Sequence, residues 1–330
     1  MKLDFAPMEG ITGRDLREVH AACFPGVDRY RLPFLSPAAD HHLTPRQRRD
    51  LDPGSLGLAR LLPQVLTKDP DDFLWAAGAL GDLGYAQVDL NLGCPSGTVV
   101  GKGKGSGLLR DPAALDRFLE AIFSAAPLPI SVKTRIGLED PGEWEAILPV
   151  LARYPICELT VHPRTRRELY KGGVHVDAFL EAAEVLPFPL WYNGNLFTPA
   201  DVQGLQAACP DLAGAVIGRG LLADPALITR CRGGRRDRQA LVDFHEELAA
   251  RYLTYMHPDG AVLPKFKELW MYLALLLSDE RAWKRLRKCA RWADFHPLAL
   301  DLLQNAELLP EAELSRLGQY SVDLSRRKSD

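Results

Sequence analysis

Short apolar segments recur at regular intervals through the first two-thirds of the chain, with turn-forming residues between them. Segments of this length, rich in Val, Ile and Leu, are typical of buried β-strands. Eight are recognised, at residues 3–6, 30–32, 61–66, 87–91, 130–134, 158–161, 190–192 and 215–217.

Helical patterns fill most of the intervals between these strands. Three open with an N-cap residue followed by proline, a preferred first helical residue; the pairs are Asp111-Pro112, Asp140-Pro141 and Thr198-Pro199. Eight strands alternating with helices over most of the chain are typical of a closed parallel barrel rather than an open sheet. We therefore predict an α/β fold of the (β/α)8 TIM-barrel type.

After Arg230 the strand pattern gives way to helical patterns at residues 235–253, 264–277, 279–292 and near 298–308. These predict a C-terminal α-helical bundle domain, with Gly233-Gly234 as the boundary. The expected organisation is a barrel over residues 1–232, a helical domain over 233–316 and a polar tail over 317–330.

Composition indicates the compartment and the general class of the protein, but not its reaction. The 330 residues are 47% hydrophobic and 25% charged, as in an ordinary globular protein. No run approaches the ~20 apolar residues that a membrane span needs. The six cysteines form no C-x-x-C pair, which argues against a disulfide framework and a zinc site. We expect a cytoplasmic protein without membrane or metal partners, and a monomer.

Charge is distributed unevenly along the chain. The net charge is −3, yet residues 226–300 hold 14 Lys and Arg against 9 Asp and Glu. The predicted helical domain is therefore basic and the predicted barrel acidic.

In a parallel barrel, the active-site residues lie at the carboxyl ends of the strands. Seven of the eight predicted strands end in a polar or glycine-rich group. These groups are Pro7-Met8-Glu9, Gln64, Asn91 to Cys94, Lys133 with Arg135, His162, Asn193-Gly194-Asn195 and Gly218-Arg219-Gly220. Any one group has a structural explanation, such as a turn glycine, but their joint presence predicts a functional barrel mouth.

Two of these groups predict a phosphate site. Asn193-Gly194-Asn195 and Gly218-Arg219-Gly220 follow the last two strands, where barrels bind phosphate with backbone N–H groups. Arg219 could add a bidentate contact. A dinucleotide fold is not indicated, because no second strand ending in an acidic residue follows.

Lys133 and Cys94 are the candidate reactive groups. A lysine in a barrel mouth either pairs with an anion or serves as a nucleophilic amine, so a Schiff-base aldolase is an open alternative. A lone cysteine is usually a small buried hydrophobe. Cys94, however, follows a strand between Gly93 and Pro95, and a thiol with an ordinary pKa of ~8.5 can donate a proton.

Six motifs in sequence order resemble those of the tRNA-dihydrouridine synthases. They are Ala6-Pro-Met-Glu-Gly10, Val88-Asp-Leu-Asn-Leu-Gly-Cys-Pro-Ser96, Ser131-Val-Lys-Thr-Arg135, Val161-His-Pro-Arg-Thr165, Tyr192-Asn-Gly194 and Val216-Ile-Gly-Arg-Gly220. The second of these is the most specific. The Gly-Cys-Pro-Ser-Gly-Thr-Val-Val segment and Pro264-Lys-Phe-Lys-Glu-Leu-Trp270 are most similar to the bacterial C-type branch, which modifies position 16 of the D-loop.

The resemblance implies an FMN enzyme that is reduced by NADPH and transfers hydride to C6 of a tRNA uridine, while Cys94 protonates C5. It implies that the flavin is bound by Pro7, Met8, Glu9, Gln64, Lys133, His162, Asn193, Gly194, Asn195, Gly218 and Arg219. It assigns the uracil to Asn91, Arg135 and Tyr170.

The C-terminal helices would then bind tRNA. Arg281, Lys284, Lys288 and Arg291 are spaced to share one face of a predicted helix, and Lys265 and Lys267 extend the basic set. Two further hypotheses remain open besides the aldolase. One is a small-molecule flavin barrel of the dihydroorotate dehydrogenase or ene-reductase type, and the other is an RNA-binding barrel without catalysis.

Overall fold

In a computed structural model of the chain, residues 1–279 and 281–319 are described. Nine parallel strands form one sheet, in the order β3-β2-β1-β9-β8-β7-β6-β5-β4. The strands are β1 Lys2–Phe5, β2 Tyr30–Arg31, β3 Leu61–Leu62, β4 Gln64–Val65, β5 Val88–Leu92, β6 Ile130–Gly137, β7 Leu159–Thr165, β8 Leu190–Tyr192 and β9 Gly214–Ile217.

The two ends of this sheet meet at Pro63. Strand β3 pairs with β2 and strand β4 pairs with β5, and only Pro63 separates β3 from β4. Proline has no N–H and so interrupts a ladder without ending the extended chain. Residues 61–66, predicted as one strand, are therefore one strand split in two, and the sheet closes into the predicted TIM barrel.

The helices alternate with these strands and continue beyond them. They are α1 Arg14–Cys23, α2 Pro45–Leu51, α3 Pro70–Asp82, α4 Gly97–Val100, α5 Pro112–Ala125, α6 Trp144–Ala152, α7 Val176–Val185, α8 Pro199–Ala208, α9 Arg219–Ala223, α10 Leu227–Cys231, α11 Arg238–Leu253, α12 Leu263–Leu273, α13 Ala282–Lys288, α14 Trp292–Asn305 and α15 Glu311–Gln319. None of the helices in the described ranges is long and apolar enough to span a membrane.

The predicted caps are confirmed at the start of several helices. Asp111 accepts hydrogen bonds from the N–H groups of Ala113 and Ala114, at 3.0 and 3.1 Å. Asp140 caps a short 3-10 turn, Pro141–Glu143, that leads directly into α6. These caps satisfy N–H groups that have no partner within the helix.

The chain divides into two compact units. The first contains residues 1–7, 28–194 and 206–216, and the second contains residues 8–27, 195–205 and 217 onward. The first unit holds the strands of the barrel apart from the last residue of β9. The boundary at Gly233 stays a prediction, and residues 320–330 of the predicted polar tail lie outside the described residues.

The interior of the barrel is polar on one side of several strands. In β5 the alternating Asp89 and Asn91 are buried, and Lys133 is opposite Asn91 in β6. Arg31, at the end of β2, donates to Asp4 of β1 at 3.0 Å and to the hydroxyl of Thr160 of β7 at 2.7 Å. Polar interior positions replace the apolar layers usual in such barrels, which indicates a ligand site in this interior.

The second unit has a core of aromatic rings around His245 of α11, two of them stacked on it and two edge-on. Trp270 of α12 donates from Nε1 to Nδ1 of His245 at 3.2 Å, and His296 of α14 lies 3.2 Å from its Nε2. Burial lowers the pKa of His245 to about 3. The imidazole is thus a neutral core group that joins three helices.

Candidate active site

Cys94 lies on a turn that is held by the side chain of Asn91. The Oδ1 atom of Asn91 accepts hydrogen bonds from the N–H of Gly93 at 3.0 Å and of Cys94 at 2.9 Å. The carbonyl oxygen of Cys94 accepts from the hydroxyl of Ser106 at 2.8 Å. The backbone on both sides of the thiol is therefore fixed.

A chain of buried polar side chains continues from Asn91 into the barrel. Asn91 donates from Nδ2 to Oε1 of Gln64 at 2.6 Å, and Gln64 donates from Nε2 to Oδ2 of Asp89 at 2.6 Å. The other carboxylate oxygen of Asp89 accepts from the hydroxyl of Ser131 at 2.8 Å. Burial raises the pKa of Asp89, against the lowering effect of nearby Arg31. Asp89 and Ser131 had no predicted role, although polar residues at positions 89 and 91 of an otherwise apolar strand were a signal.

Lys133 lies half-buried in the barrel interior, on β6. Its ammonium makes no hydrogen bond to any residue within the described ranges. Burial, with a contribution from the charge of Arg135, lowers the pKa of Lys133 to about 8. A half-buried ammonium that no described residue hydrogen-bonds can meet an anionic or carbonyl group of a ligand.

Arg135 is buried and connects two loops. It donates from Nε to the carbonyl oxygen of Gly93 at 3.0 Å, and from Nη1 to those of Thr165 and Leu169, each at 2.9 Å. Its guanidinium also lies over the ring of Tyr170, 5.6 Å from the centroid. The Arg135 side chain thus connects the Cys94 turn with the loop that carries Tyr170. Its predicted contact with uracil stays a prediction.

Tyr170 and His162 lie near each other on this loop and its strand. Their ring centroids are 6.0 Å apart, and the Tyr170 side chain is exposed. Leu169, the preceding residue, has a φ of 54°, a left-handed conformation that side chains disfavour. Arg164 lies 3.1 Å from Nε2 of His162 and donates to the carbonyl oxygen of Gly172 at 2.7 Å. Arg164, which had no predicted role, therefore also restrains the loop.

The end of β8 is fixed by one hydrogen bond and one close approach. Asn193 donates from Nδ2 to the carbonyl oxygen of Val216 at 2.6 Å. A Cβ atom at Gly194 would overlap the ring of Tyr192, so glycine is required at this position. The predicted phosphate loop therefore begins with a tightly packed turn.

The second unit holds the remaining predicted phosphate residues. Arg219, which follows Gly218 at the start of α9, donates to Oδ1 of Asn195 at 2.7 Å. A Cβ atom at Gly220 would overlap the carbonyl oxygen of Leu196. These contacts bring a guanidinium and an amide together beside glycine backbone, a donor set suited to phosphate.

The residues before α1 form a separate turn of the second unit. The backbone N–H of Met8 donates to the hydroxyl of Thr12 at 2.8 Å, and the carbonyl oxygen of Met8 accepts from the N–H of Ile11 and of Thr12. Glu9 is exposed and Pro7 is partly buried. Their predicted flavin contacts stay predictions.

The basic residues of the helical region fall into two groups. Arg281, Lys284 and Lys288 line one surface depression, and their side chains form no ion pair with any described residue. Arg291 instead forms a two-point ion pair with Asp294, at 2.9 Å for both contacts. Helix α13 ends at Lys288 and Arg291 precedes α14, so the prediction that one helical face carries all four residues is wrong.

Lys265 and Lys267, the other predicted tRNA contacts, each reach a backbone carbonyl. Lys265 donates to Gly10 at 3.1 Å and lies 5.4 Å from the centroid of the Tyr252 ring. Lys267 donates to Arg287 at 2.9 Å, in the last turn of α13. Both lysines therefore have structural contacts, and their contact with RNA stays a prediction.

Comparison with known proteins agrees with this geometry. The family model described as dihydrouridine synthase (Dus) matches residues 4–306. The tRNA-dihydrouridine(16) synthase of Ralstonia nicotianae is 30% identical, over 97% of this chain and 98% of that protein. The protein of the same name from Pseudomonas putida is 28% identical, over 97% and 96% of the two chains.

Solved structures with the same fold include morphinone reductase. It has a TM-score of 0.52 and 14% sequence identity, and the match covers 74% of this chain and 88% of that one. This likeness concerns the barrel fold. The family match covers nearly the whole chain, and the predicted resemblance is confirmed: the chain belongs to the dihydrouridine synthase family.

Proposed function

We propose that this protein is an FMN-dependent tRNA-dihydrouridine synthase that reduces the C5–C6 double bond of a D-loop uridine, at position 16, with NADPH as reductant. The observation that carries the proposal is that Cys94 lies on a fixed turn directly after β5, while Lys133 lies on the neighbouring strand β6, opposite Asn91. The family match and the names of the two relatives support the reaction.

Lys133, in the first unit, fits a flavin ring. The Lys133 ammonium has no hydrogen-bond partner within the described ranges, and its pKa of about 8 keeps most of it charged at neutral pH. A reduced flavin carries negative charge near N1 and O2, which such a cation stabilises. We propose that Gln64 and His162 contact the ring, and that Pro7, Met8 and Glu9 line it.

The phosphate of FMN requires a different donor set. We propose that Asn193, Gly194, Asn195, Gly218 and Arg219 bind it. The contact between Arg219 and Asn195 supports this assignment. It holds the guanidinium next to glycine residues, whose backbone N–H groups a phosphate can approach closely. Neither Asn195 nor glycine adds a negative charge that would repel the phosphate.

Bound FMN would supply the hydride for C6 of uracil, with NADPH as its reductant. The residues of the chain supply the rest of the reaction. Cys94 donates the proton to C5, and the hydrogen bonds of Asn91 to the backbone fix the thiol. Tyr170 forms an aromatic wall for a uridine that leaves the RNA stack, since its ring is exposed and held above Arg135.

The tRNA is bound, on this proposal, by the helical region of residues 233–316. Arg281, Lys284 and Lys288 line one surface and form no ion pair with any residue that the structure describes, which suits phosphate contacts. Lys265, Lys267 and Arg291 would contribute less, because each already has a protein partner. We propose a cytoplasmic location, because the substrate is tRNA and because the six cysteines contain no C-x-x-C pair.

The proposal is tested with purified protein, FMN, NADPH and an unmodified tRNA transcript. Dihydrouridine mapped by mass spectrometry to position 16 is the expected result, and its formation at another D-loop position would contradict the assignment of the target uridine. Free uridine and orotate serve as control substrates. Turnover of either at the rate seen with tRNA would favour the small-molecule flavin barrel. Tight tRNA binding without flavin or product would favour an RNA-binding barrel, and borohydride trapping at Lys133 would favour an aldolase.

A further inference from the structure

We propose that Asp89 is a positioning residue, which fixes the Cys94 turn by setting the direction of the hydrogen bonds that run through Gln64 and Asn91. Asp89 does not touch the turn itself. It accepts from Gln64 at 2.6 Å, Gln64 accepts from Asn91 at 2.6 Å, and Asn91 accepts from the Cys94 N–H at 2.9 Å.

The backbone of the Cys94 turn determines which group donates in each of these hydrogen bonds. A backbone N–H can only donate, so Asn91 must present its oxygen to Gly93 and Cys94. The Nδ2 atom of Asn91 then faces Gln64, which must present its own oxygen. The Nε2 atom of Gln64 consequently faces position 89, where only an acceptor completes the chain.

A side-chain amide can be reversed by rotation, so Gln64, which has no backbone N–H group to orient it, needs an acceptor on its far side to hold it in this sense. Asp89 does so because its Oδ2 accepts from Gln64 while its Oδ1 accepts from Ser131 at 2.8 Å. Gln64 is 1% exposed and Asn91 is 7% exposed, so water cannot readily replace a lost partner. Without the acceptor at 89, Gln64 could reverse and turn its N–H toward the N–H of Asn91.

This inference rests on the proposed role of Cys94 as proton donor, but its test needs no catalysis. The measurement is the rate at which iodoacetamide alkylates Cys94 in the purified full chain, read by peptide mass spectrometry. The rate at Cys209, which is likewise partly buried, is the internal standard for global unfolding. A protein that makes no dihydrouridine can still give a clear result, so failure of the proposed function and failure of this inference are distinguishable.

Four variants distinguish the effect of the hydrogen-bond acceptor at position 89 from the effect of its negative charge. Asp89→Leu removes the acceptor, and Gln64→Met removes the link, so each should raise the Cys94 to Cys209 ratio about fivefold, as expected for one lost hydrogen bond. Asp89→Asn keeps an oxygen for Gln64 and turns its Nδ2 to Ser131, so its ratio should stay within about twofold of wild type. The Asp89→Leu/Gln64→Met double variant should exceed neither single variant, since both act through one path.

Three results would overturn the proposal. The first is a wild-type ratio in Asp89→Leu. The second is an equal rise in Asp89→Asn and Asp89→Leu, which would assign the effect to the negative charge. The third is a double variant whose effect is the product of the two single effects. If Asp89→Leu does not fold, Gln64→Met is compared with Ser131→Ala, which leaves the direction intact; equal ratios in these two variants would also contradict the proposal.

Discussion

Arg135 donates a hydrogen bond from Nε to the carbonyl oxygen of Gly93, 3.0 Å away, directly before the residue that carries the proposed acid. The same guanidinium donates to Leu169, directly before the proposed aromatic wall Tyr170. One side chain therefore sets the distance between the thiol and the surface against which the uracil would lie.

Replacing Arg135 by Lys should lower dihydrouridine formation at least about tenfold, because one ammonium cannot reach all three carbonyl groups in the planar fork geometry. Bound flavin, measured by visible absorbance, should be retained. Arg153→Lys is the matched control, since Arg153 is an exposed arginine paired with Asp116. Loss of flavin in Arg135→Lys, or an equal loss of activity in the control, would contradict this role.

Lys133 predicts a pH limit on flavin reduction. Its pKa is lowered to about 8, so the ammonium is present at neutral pH and is lost as pH rises through 8. The rate of flavin reduction by NADPH should therefore fall above about pH 8, by about tenfold at pH 9 if only the ammonium form is competent. Stopped-flow absorbance measures this rate directly.

Lys133→Arg provides the control for this profile, because a guanidinium stays charged throughout the range. Whatever its absolute rate, flavin reduction in this variant should stay level between pH 7 and pH 9.5. An unchanged fall above pH 8 in Lys133→Arg would assign the titration to another group.

The two groups of basic residues predict different salt dependences of tRNA binding. Lys284→Gln removes a cation without a described partner, so the slope of log K against log salt should decrease by about 0.8 per lost phosphate contact. Arg291→Gln removes a cation that Asp294 already neutralises, so its slope should change much less. Fluorescence titration of labelled tRNA at several salt concentrations measures both. Equal slopes in the two variants would refute the distinction.

The buried His245 should make the stability of the helical region decrease at acidic pH. Its folded pKa of about 3 lies below the ordinary value near 6.5, so the neutral imidazole is favoured by folding. Stability is therefore complete above about pH 6.5 and decreases as pH falls toward 3, by up to about 1.4 kcal/mol per pH unit. His245→Phe should reduce this slope, as measured by amide hydrogen exchange of α11 between pH 6.5 and 4.5, and the remainder belongs to His296, whose pKa burial also lowers. Substitution of the exposed His257 by Gln should leave it intact; the same slope in both variants would contradict the assignment.

Local signals allowed much of the barrel to be predicted from the sequence. The apolar segments and the Asp-Pro and Thr-Pro helix starts lie within a few residues of one another, and they depend on contacts that form locally. Cys94 was recognisable for the same reason, because a strand, Gly93 and Pro95 surround it in the chain. The family motifs then gave these strand ends a common function.

The interactions of Arg135 could not be predicted in this way. Its three carbonyl partners lie 30 to 42 residues away, and a backbone oxygen has no signature in the sequence. The end of α13 at Lys288 was missed for a related reason. No Gly or Pro marks the break, and the N–H of Trp292 that begins the next helix donates to Asp259, 33 residues away. Tertiary contacts determined both features.

The central claim is that Cys94 is the proton donor of a flavin-dependent uracil reduction. Its most direct test is the yield of dihydrouridine from unmodified tRNA with wild type and with Cys94→Ala, under FMN and NADPH, measured by mass spectrometry. The account predicts that Cys94→Ala keeps its flavin absorbance and oxidises NADPH, but forms no dihydrouridine above about 1% of wild type, consistent with a loss of 10²-fold or more for a missing general acid. Dihydrouridine formation by Cys94→Ala at the wild-type rate would contradict it.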